Sequence, residues 1–498
     1  MMENKKYLLA IDQSTSGTKA LLFDEGGNIA HRYDKPHKQI TNNRGWVEHN
    51  PEEIYDNLIE CVKQVVHEAE VNKESIVGIG LSNQRETAVV WDKFSGRSRY
   101  NAIVWQCNRG EAICKEIADQ GQAESIQSRT GLPLSPYFSA AKISWVLRYL
   151  ETNEESIEEL CAGTMDSYLI YRLTKGKVFK TDYSNASRTQ LFNILDLKWD
   201  EEIASLFKIN PAILPEVCNS NASYGETDLE GYLDRPIPIH AVLGDSHGAL
   251  FGQGCLEKGM VKATYGTGSS IMMNIGEKPI FSKKGIVTSL AWKIGDKPEY
   301  VLEGNINYTG AVLKWVTEDL KLISSPKESE TCAFAANEAD KTYLVPAFTG
   351  LGAPYWNSEA TAQISGMTRI TGKNEVVKAA LESIAYQIAD IIYLMKEEAQ
   401  IDIQELRVDG GPTRNQYLMQ FQSNILDLKI QVPKWEELSA IGVAYMAGTE
   451  LGLYDKNAIF NNIERTQFTS YFNTAERKEK YLGWQQAVQS VLIRAKNN

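Results

Sequence analysis

Cysteine is sparse in this chain of 498 residues. Its seven cysteines, Cys61, Cys107, Cys114, Cys161, Cys218, Cys255 and Cys332, are scattered, odd in number and never spaced CxxC. That pattern excludes a disulfide framework and a thiolate zinc site, and suits reduced packing thiols in a cytoplasmic protein. The six histidines show no HExxH spacing, so the zinc-hydrolase helix is absent too. No apolar run approaches the ~18 residues that cross a bilayer. The start, MMENKKYLLAID, lacks the apolar core of a signal peptide. No GxxxxGK[ST] occurs, which excludes a Walker-type phosphate loop. Basic residues are in deficit, 52 Lys and Arg against 64 Asp and Glu. A net charge of −12 argues against non-specific nucleic-acid binding, although a local nest of N–H groups can still hold a phosphate.

What is present is an ordinary globular balance on a chain long enough for two domains. Strand-like segments (Ile76–Leu81, Thr87–Trp91) mix with a long amphipathic helix at Pro51–Glu70, which points to an α/β architecture. Three loops of small residues stand out. In the first, apolar strands Leu8–Ile11 and Lys19–Phe23 flank Gln13-Ser14-Thr15-Ser16-Gly17-Thr18, with Asp12 at the mouth. Hydroxyls and exposed N–H groups there suit phosphate oxygens, Asp12 suits a magnesium ion and Lys19 adds a point charge. A tight hairpin with a polar tip is the competing reading. In the second, the strand Met260–Tyr265 runs into Gly266-Thr267-Gly268-Ser269-Ser270. The same plan thus occurs once in each half, as two phosphate loops facing each other across a cleft would require. In the third, Asp409-Gly410-Gly411-Pro412-Thr413-Arg414-Asn415 joins an apolar strand to a helix at Gln416–Leu426. Glycines there let backbone approach a ligand and a helix start favours anions, though a capped turn explains them equally.

The polar constellation is narrower. Arg85 and Glu86 lie between two apolar strands, where guanidinium and carboxylate can bind hydroxyls or form a plain surface ion pair. Trp105 and Tyr137 offer an aromatic wall or core packing. Asp245 follows the strand ending Val242-Leu243-Gly244. A carboxylate there can take a proton from an attacking hydroxyl, or cap a helix beginning near Gly248.

These segments, together with GWVEHNPEEI (45–54), SNQRET (82–87), TDYSNASRTQLFNI (181–194), VPAFTGLGAPYW (345–356) and LMQFQSNIL (418–426), resemble the FGGY carbohydrate kinases. Within that family the chain is most similar to the branch that phosphorylates glycerol. The resemblance runs from about Tyr7 to Tyr454. It includes both family signatures, Tyr137–Arg148 and Ala362–Glu382, although Tyr149 follows the first where a polar residue is expected. It implies two actin/hexokinase-like (ribonuclease H-like) domains with a nucleotide cleft between them, 1–252 carrying the substrate pocket and first phosphate loop, 253–498 binding nucleotide. It implies ATP and Mg2+ as cofactors, with Asp12 toward the metal. Ser14, Thr15, Ser16, Lys19, Gly266, Thr267, Gly310, Lys314, Gly411 and Asn415 fall at nucleotide positions. Asp245 falls at the catalytic base. Arg85, Glu86, Trp105, Tyr137, Ser246 and Ser270 fall around the acceptor with it. The implied partner is a small polyol or sugar, in a homodimer or homotetramer, without nucleic acid or membrane insertion.

Five positions depart from the branch. Ser14 replaces a glycine, Lys19 an arginine, Lys314 and Ser246 each a glutamine, and Ser270 a phenylalanine. The last two changes remove bulk beside the acceptor. Glycerol is therefore the first expectation and a larger polyol or ketose (a tetritol, pentitol, xylulose or ribulose) the alternative. An ATP-driven conformational protein of the actin and heat-shock-chaperone superfold is a third expectation, which would not need Arg85, Glu86, Tyr137 and Asp245. His247 either binds an extra hydroxyl or packs. No histidine occurs in 219–235, so control through a phosphohistidine there is not expected.

Overall fold

Two mixed sheets built on one plan carry the molecule, and the computed structural model describes them within residues 5–496. Residues 1–4, part of the stretch read as lacking a signal peptide, lie outside the described residues. The first sheet contains β1 (Tyr7–Gln13), β2 (Gly17–Phe23), β3 (Ile29–Pro36), β4 (Ile76–Asn83), β5 (Ser223–Thr227) and β6 (Ile237–Gly244), in the order β5-β6-β4-β1-β2-β3. β1 is antiparallel to β2 and parallel to β4, which is parallel to β6. Side chains alternate across a strand, and both faces of β1 are apolar. Leu9 and Ile11 enter one core with Ile54, Leu58, Val62 and Val65 of α1 (Pro51–Glu68). Leu8 and Ala10 enter another with Val443, Ala444 and Ala447 of α7 (Leu438–Glu450). Such double coverage explains why β1 reads as a continuous apolar run.

Helix α1 starts where the sequence says it should. Asn50 accepts the Glu52 and Glu53 N–H groups, Pro51 opens the helix, and two acids follow in the first turn, each favourable at a helix N-terminus. It stops two residues short of the expected Glu70, whose φ is +51°. On the other face, α7 comes so close that a Cβ on Gly80 would stand 2.5 Å from the Val443 carbonyl oxygen.

The second sheet contains β7 (Val261–Tyr265), β8 (Ser269–Gly276), β9 (Val287–Ile294), β10 (Lys297–Ile306), β11 (Glu405–Asp409), β12 (Lys429–Pro433) and β13 (Arg465–Phe468). Their order is β9-β10-β8-β7-β11-β12-β13. Here β7 is antiparallel to β8 and parallel to β11, the arrangement of β1 with β2 and β4. Ile384, Ile388 and Ile391 of α5 (Lys373–Ala399) pack in one core with Ile271, Leu302 and Val408. Four more helices hold the site: α2 (Ser139–Thr152), α3 (Asp245–Gly252), α4 (Gly310–Glu318) and α6 (Gln416–Leu426). A smaller five-stranded sheet, which includes Ala88–Asp92 and Leu160–Thr164, extends the first half. Among the described residues no helix is long and apolar enough to cross a membrane.

Candidate active site

Parallel strands bring their C-terminal ends to one edge, the usual location of ligands in open α/β sheets. Asp12 lies near the end of β1, Arg85 just beyond β4, and Asp245 just beyond β6. Across from them, Gly266 follows β7 and Gly410 follows β11. A cavity of about 300 Å³ lies between, lined by Asp12, Ser14, Lys19, Asp245, Ser246, Thr264, Asp409 and Glu437 among others.

The first loop is shorter than expected. Only Ser14, Thr15 and Ser16 leave the hairpin, and Asp12 stands opposite Lys19 in register. Their ammonium–carboxylate distance is 3.8 Å. Lys19 is held more closely by Glu437, at 2.7 Å, and Glu437 also takes Arg32. Burial pushes the Asp12 carboxyl up to about 6, against the pull of Lys19 and with the repulsion of Asp245 and Glu437. Its Oδ1 is buried with no hydrogen-bond partner. An orphaned carboxylate oxygen facing a cavity shared with Asp245 and Asp409 fits a magnesium ion. Mg2+ takes one or two carboxylates and fills its remaining positions with phosphate oxygens and water. Among the described residues no three His, Cys, Asp or Glu side chains cluster closely enough to chelate a metal unaided. Lys262 of β7 lies beneath, fully buried, its Nζ unpartnered; burial lowers its pKa against the attraction of Asp409.

Asp245 is the first residue of α3, with Gly244 in the capping position. The helix-capping reading is therefore corrected: the helix begins three residues before Gly248, and the carboxylate is left to face the cleft. Its Oδ1 accepts the Ser246 N–H at 2.6 Å and lies 3.3 Å from Arg85 Nε.

Arg85 and Glu86 are not a surface pair. They are 6 % and 2 % exposed and each has another partner. Arg85 grips Glu303 of β10 at 2.8 and 2.9 Å. Glu86 takes Arg188 Nε at 2.5 Å, and Arg188 Nη1 lies 3.1 Å from Glu303. Burial pushes Glu303 up, but Arg188 and Arg85 outweigh it and hold the carboxyl well below its ordinary range. Glu86 has φ +60°, and the Thr87 N–H closes a three-residue turn onto the Arg85 carbonyl at 2.7 Å. Strain of this kind persists where surrounding structure imposes it, typically at functional sites.

The aromatic wall is formed. Trp105 and Tyr137 stand 5.6 Å apart, and burial raises the Tyr137 phenol. The indole N–H of Trp105 donates to Thr15 Oγ at 3.0 Å, so this hydroxyl joins the first loop to the wall. Ser270 Oγ lies 3.4 Å from Glu303. His247 is fully buried, its Nε2 3.4 Å from Ser289 Oγ and its Nδ1 without a partner, and burial drives its pKa well below the ordinary value.

On the other side, Gly310, Gly411 and Asn415 share a cavity of about 550 Å³ with Leu313, Pro326 and Pro412. Asn415 caps α6 by accepting the Leu418 N–H at 2.9 Å. Gly410 has φ +98°, and a Cβ there would lie 2.0 Å from the Tyr265 carbonyl oxygen. Gly266 and Thr267 present backbone carbonyls to the start of α4, accepting the Gly310 and Thr309 N–H groups at 2.9 Å each. Lys314, expected at the nucleotide, has its side chain 69 % exposed on α4 and pairs with Glu318 at 3.7 Å.

Arg188, Glu303, Asp409 and Glu437 were not singled out from the sequence. The first two sit within matched segments or a regular strand, where nothing local separates a site charge from a surface one.

The model of the FGGY family of carbohydrate kinases matches with its N-terminal domain over 7–252 and its C-terminal domain over 261–451. The chain is 48 % identical over 490 residues to glycerol kinase 1 of Thermotoga maritima, covering 98 % of this chain and 99 % of that protein. It is 45 % identical to a glycerol kinase of Alkaliphilus oremlandii, covering 98 % of each. Its structure is similar to that of Plasmodium falciparum glycerol kinase with ADP, at a TM-score of 0.92, 36 % identity and 98 % coverage of both chains. A gluconate kinase of Lactobacillus acidophilus shares the fold, with a TM-score of 0.88 at 22 % identity over 99 % of this chain and 98 % of that one.

Proposed function

The chain belongs to the FGGY family of carbohydrate kinases, and from that premise we propose that it transfers the γ-phosphoryl group of ATP to a primary hydroxyl of glycerol, giving glycerol 3-phosphate. The observation that carries the reading is the position of Asp245. It stands at the start of α3, facing the cleft, 3.3 Å from Arg85 and on the same cavity as Asp12.

Asp245 accepts the proton of the attacking hydroxyl. Arg85 Nε steadies that carboxylate while its two terminal nitrogens stay on Glu303. Glu86, fixed by Arg188, and Arg85 bind the other hydroxyls, and Trp105 with Tyr137 covers the carbon chain. Fixing both reactants in this way lowers the entropic part of the barrier. Asp12, on the cavity it shares with Asp245 and Asp409, would hold a magnesium ion, which when bound would neutralise charge at the phosphoryl oxygens. Lys19 is poised to add positive charge on the same side. The cavity at Gly310, Gly411 and Asn415 takes the nucleoside, and closure of the cleft excludes water that would hydrolyse ATP.

A second acceptor class, a tetritol, pentitol or ketopentose, has one observation in its favour. Ser246 lines the cleft cavity and Ser270 offers a hydroxyl beside Glu303, so two small polar side chains border the acceptor. The reading extends to a division at 252/253, with α7 of the second half covering the first sheet. It extends also to a cytoplasmic enzyme, which the buried thiols suit, and to a homodimer or homotetramer.

The test is a coupled ATP-consumption assay on glycerol, erythritol, threitol, xylitol, ribitol, D-xylulose and D-ribulose, ranked by kcat/KM. Glycerol in first place is expected, and a longer acceptor in first place moves the assignment to the second class. ATP consumption unchanged by every polyol returns the chain to the conformational-ATPase class. Asp245→Asn should lose at least about 10³-fold in kcat while retaining ATP binding.

A further inference from the structure

Helix α2 begins directly behind the aromatic wall. Its capping position is Phe138, which has no side-chain oxygen to offer the helix start. The loop before it carries Tyr137, and its carbonyls turn toward the first turn of α2. Lys142 satisfies them. Its side chain is completely buried. Its Nζ donates to the carbonyls of Pro136 at 2.7 Å, of Phe138 at 3.2 Å, and of Tyr137 between them. An ammonium has three donors, and all three are spent on consecutive carbonyls of one loop. One turn earlier on the same helix face, Ser139 is also fully buried, and its Oγ donates to the Glu86 carbonyl at 3.0 Å. That is the carbonyl of the strained turn described above.

Lysines at a domain surface extend their ammonium to water. This one is held inside without a carboxylate ion pair, an arrangement that costs free energy unless its hydrogen bonds are complete. The two residues of α2 reach two different segments, Ser139 the turn at Glu86 and Lys142 the loop that carries Tyr137.

We propose that Ser139 and Lys142 are positioning residues for the acceptor, the first turn of α2 serving as a template that fixes Glu86 through its carbonyl and Tyr137 through its loop. The inference rests on the kinase reading.

The template is pH-sensitive. Burial lowers the Lys142 pKa to about 7, opposed chiefly by Glu86, with Cys107 and Cys114 opposing it further and Arg109 reinforcing it. Below that pH the ammonium serves all three carbonyls. Above it the neutral amine has two donors for three acceptors, so acceptor binding weakens as pH rises through about 7.

The experiment compares wild type, Lys142→Met, Ser139→Ala, Tyr137→Ala and the double variant Tyr137→Ala/Lys142→Met. Glycerol KM, ATP KM and kcat are measured from acid to alkaline pH, with thermal melts to follow folding. Lys142→Met should raise glycerol KM about ten-fold, change ATP KM little, abolish the rise of glycerol KM with pH, and add nothing in the Tyr137→Ala background. Ser139→Ala should raise glycerol KM about three-fold with little change in melting. Wild-type glycerol KM in both single variants overturns the inference. So does additivity of Lys142→Met with Tyr137→Ala, or an equal rise in ATP KM. If Lys142→Met fails to fold, Ser139→Ala decides alone. A wild type inactive on every polyol overturns the kinase reading and this inference with it, whereas an active wild type with unchanged variants overturns the inference only.

Discussion

The hairpins β1–β2 and β7–β8 share a plan and differ in chemistry. Each is antiparallel, turns through small residues and lays its first strand parallel to another strand, the first leaving four residues beyond its last pair, Gln13 and Thr18, and the second three beyond Tyr265 and Ser269. In the first, Asp12 faces Lys19 across the hairpin and both address a charged cavity. In the second, the corresponding pair is the neutral Thr264 and Ser270. Both tips are exposed at their turn residues, Ser16 in the first and Gly266 and Thr267 in the second. Each is tied to a different neighbour: the Ser16 and Thr15 carbonyls accept the His37 backbone N–H and ring nitrogen, and the Gly266 and Thr267 carbonyls accept N–H groups at the start of α4. The first hairpin therefore presents charge to the cavity, and the second presents a neutral tip to the start of α4. A repeated backbone device does not imply a repeated function.

The largest break in that comparison comes from removing the charge. Asp12→Asn should lower kcat at least about 100-fold and weaken Mg2+ dependence, with melting close to wild type. The comparison sharpens with pH. Burial raises the Asp12 carboxyl to about 6 in the free protein, so protons compete with the metal and apparent Mg2+ affinity falls as pH drops through that value. Titrations at a series of pH values check it, and Asp12→Asn should show no such slope. A smaller effect separates the tips by stability. A Cβ on Gly268 would stand 2.3 Å from the Ile306 carbonyl oxygen, so Gly268→Ala should cost about 2 kcal/mol, and Ser16→Ala less than about 0.5 kcal/mol, in denaturant unfolding. Smallest of all, Lys314→Ala on the outer face of α4 should change ATP KM less than about two-fold, since its exposed ion pair contributes little. A larger change would return Lys314 to the nucleotide site.

Much of the site was legible in the sequence because it lies where a strand stops. Asp12, Arg85, Asp245 and Gly411 each follow an apolar run, and a run that ends in a small or charged residue marks the sheet edge where ligands bind. The two hairpins were legible for the same reason. Glu303 was not, because it sits inside β10 in a run of buried residues, and nothing beside it in the sequence says that an acid there is buried against two arginines. Glu437 was not, because its partner Lys19 lies 418 residues away. Lys314, which the resemblance implies as a nucleotide residue, lies exposed on α4 and paired with Glu318.

What this sequence determined by itself is local: strands by short apolar runs, α1 by Asn50 and Pro51 at its start, the glycine turns by residues that alone tolerate their backbone. Only the tertiary structure decided which charges meet. Arg85 could have paired with Glu86 beside it, and instead binds Glu303 while Glu86 binds Arg188. The reason is physical. Backbone periodicity is set by neighbours a few residues apart, whereas the partners of buried charges are set by what packing brings within reach when water is removed, an opposite charge as for Arg85 or a set of carbonyls as for Lys142.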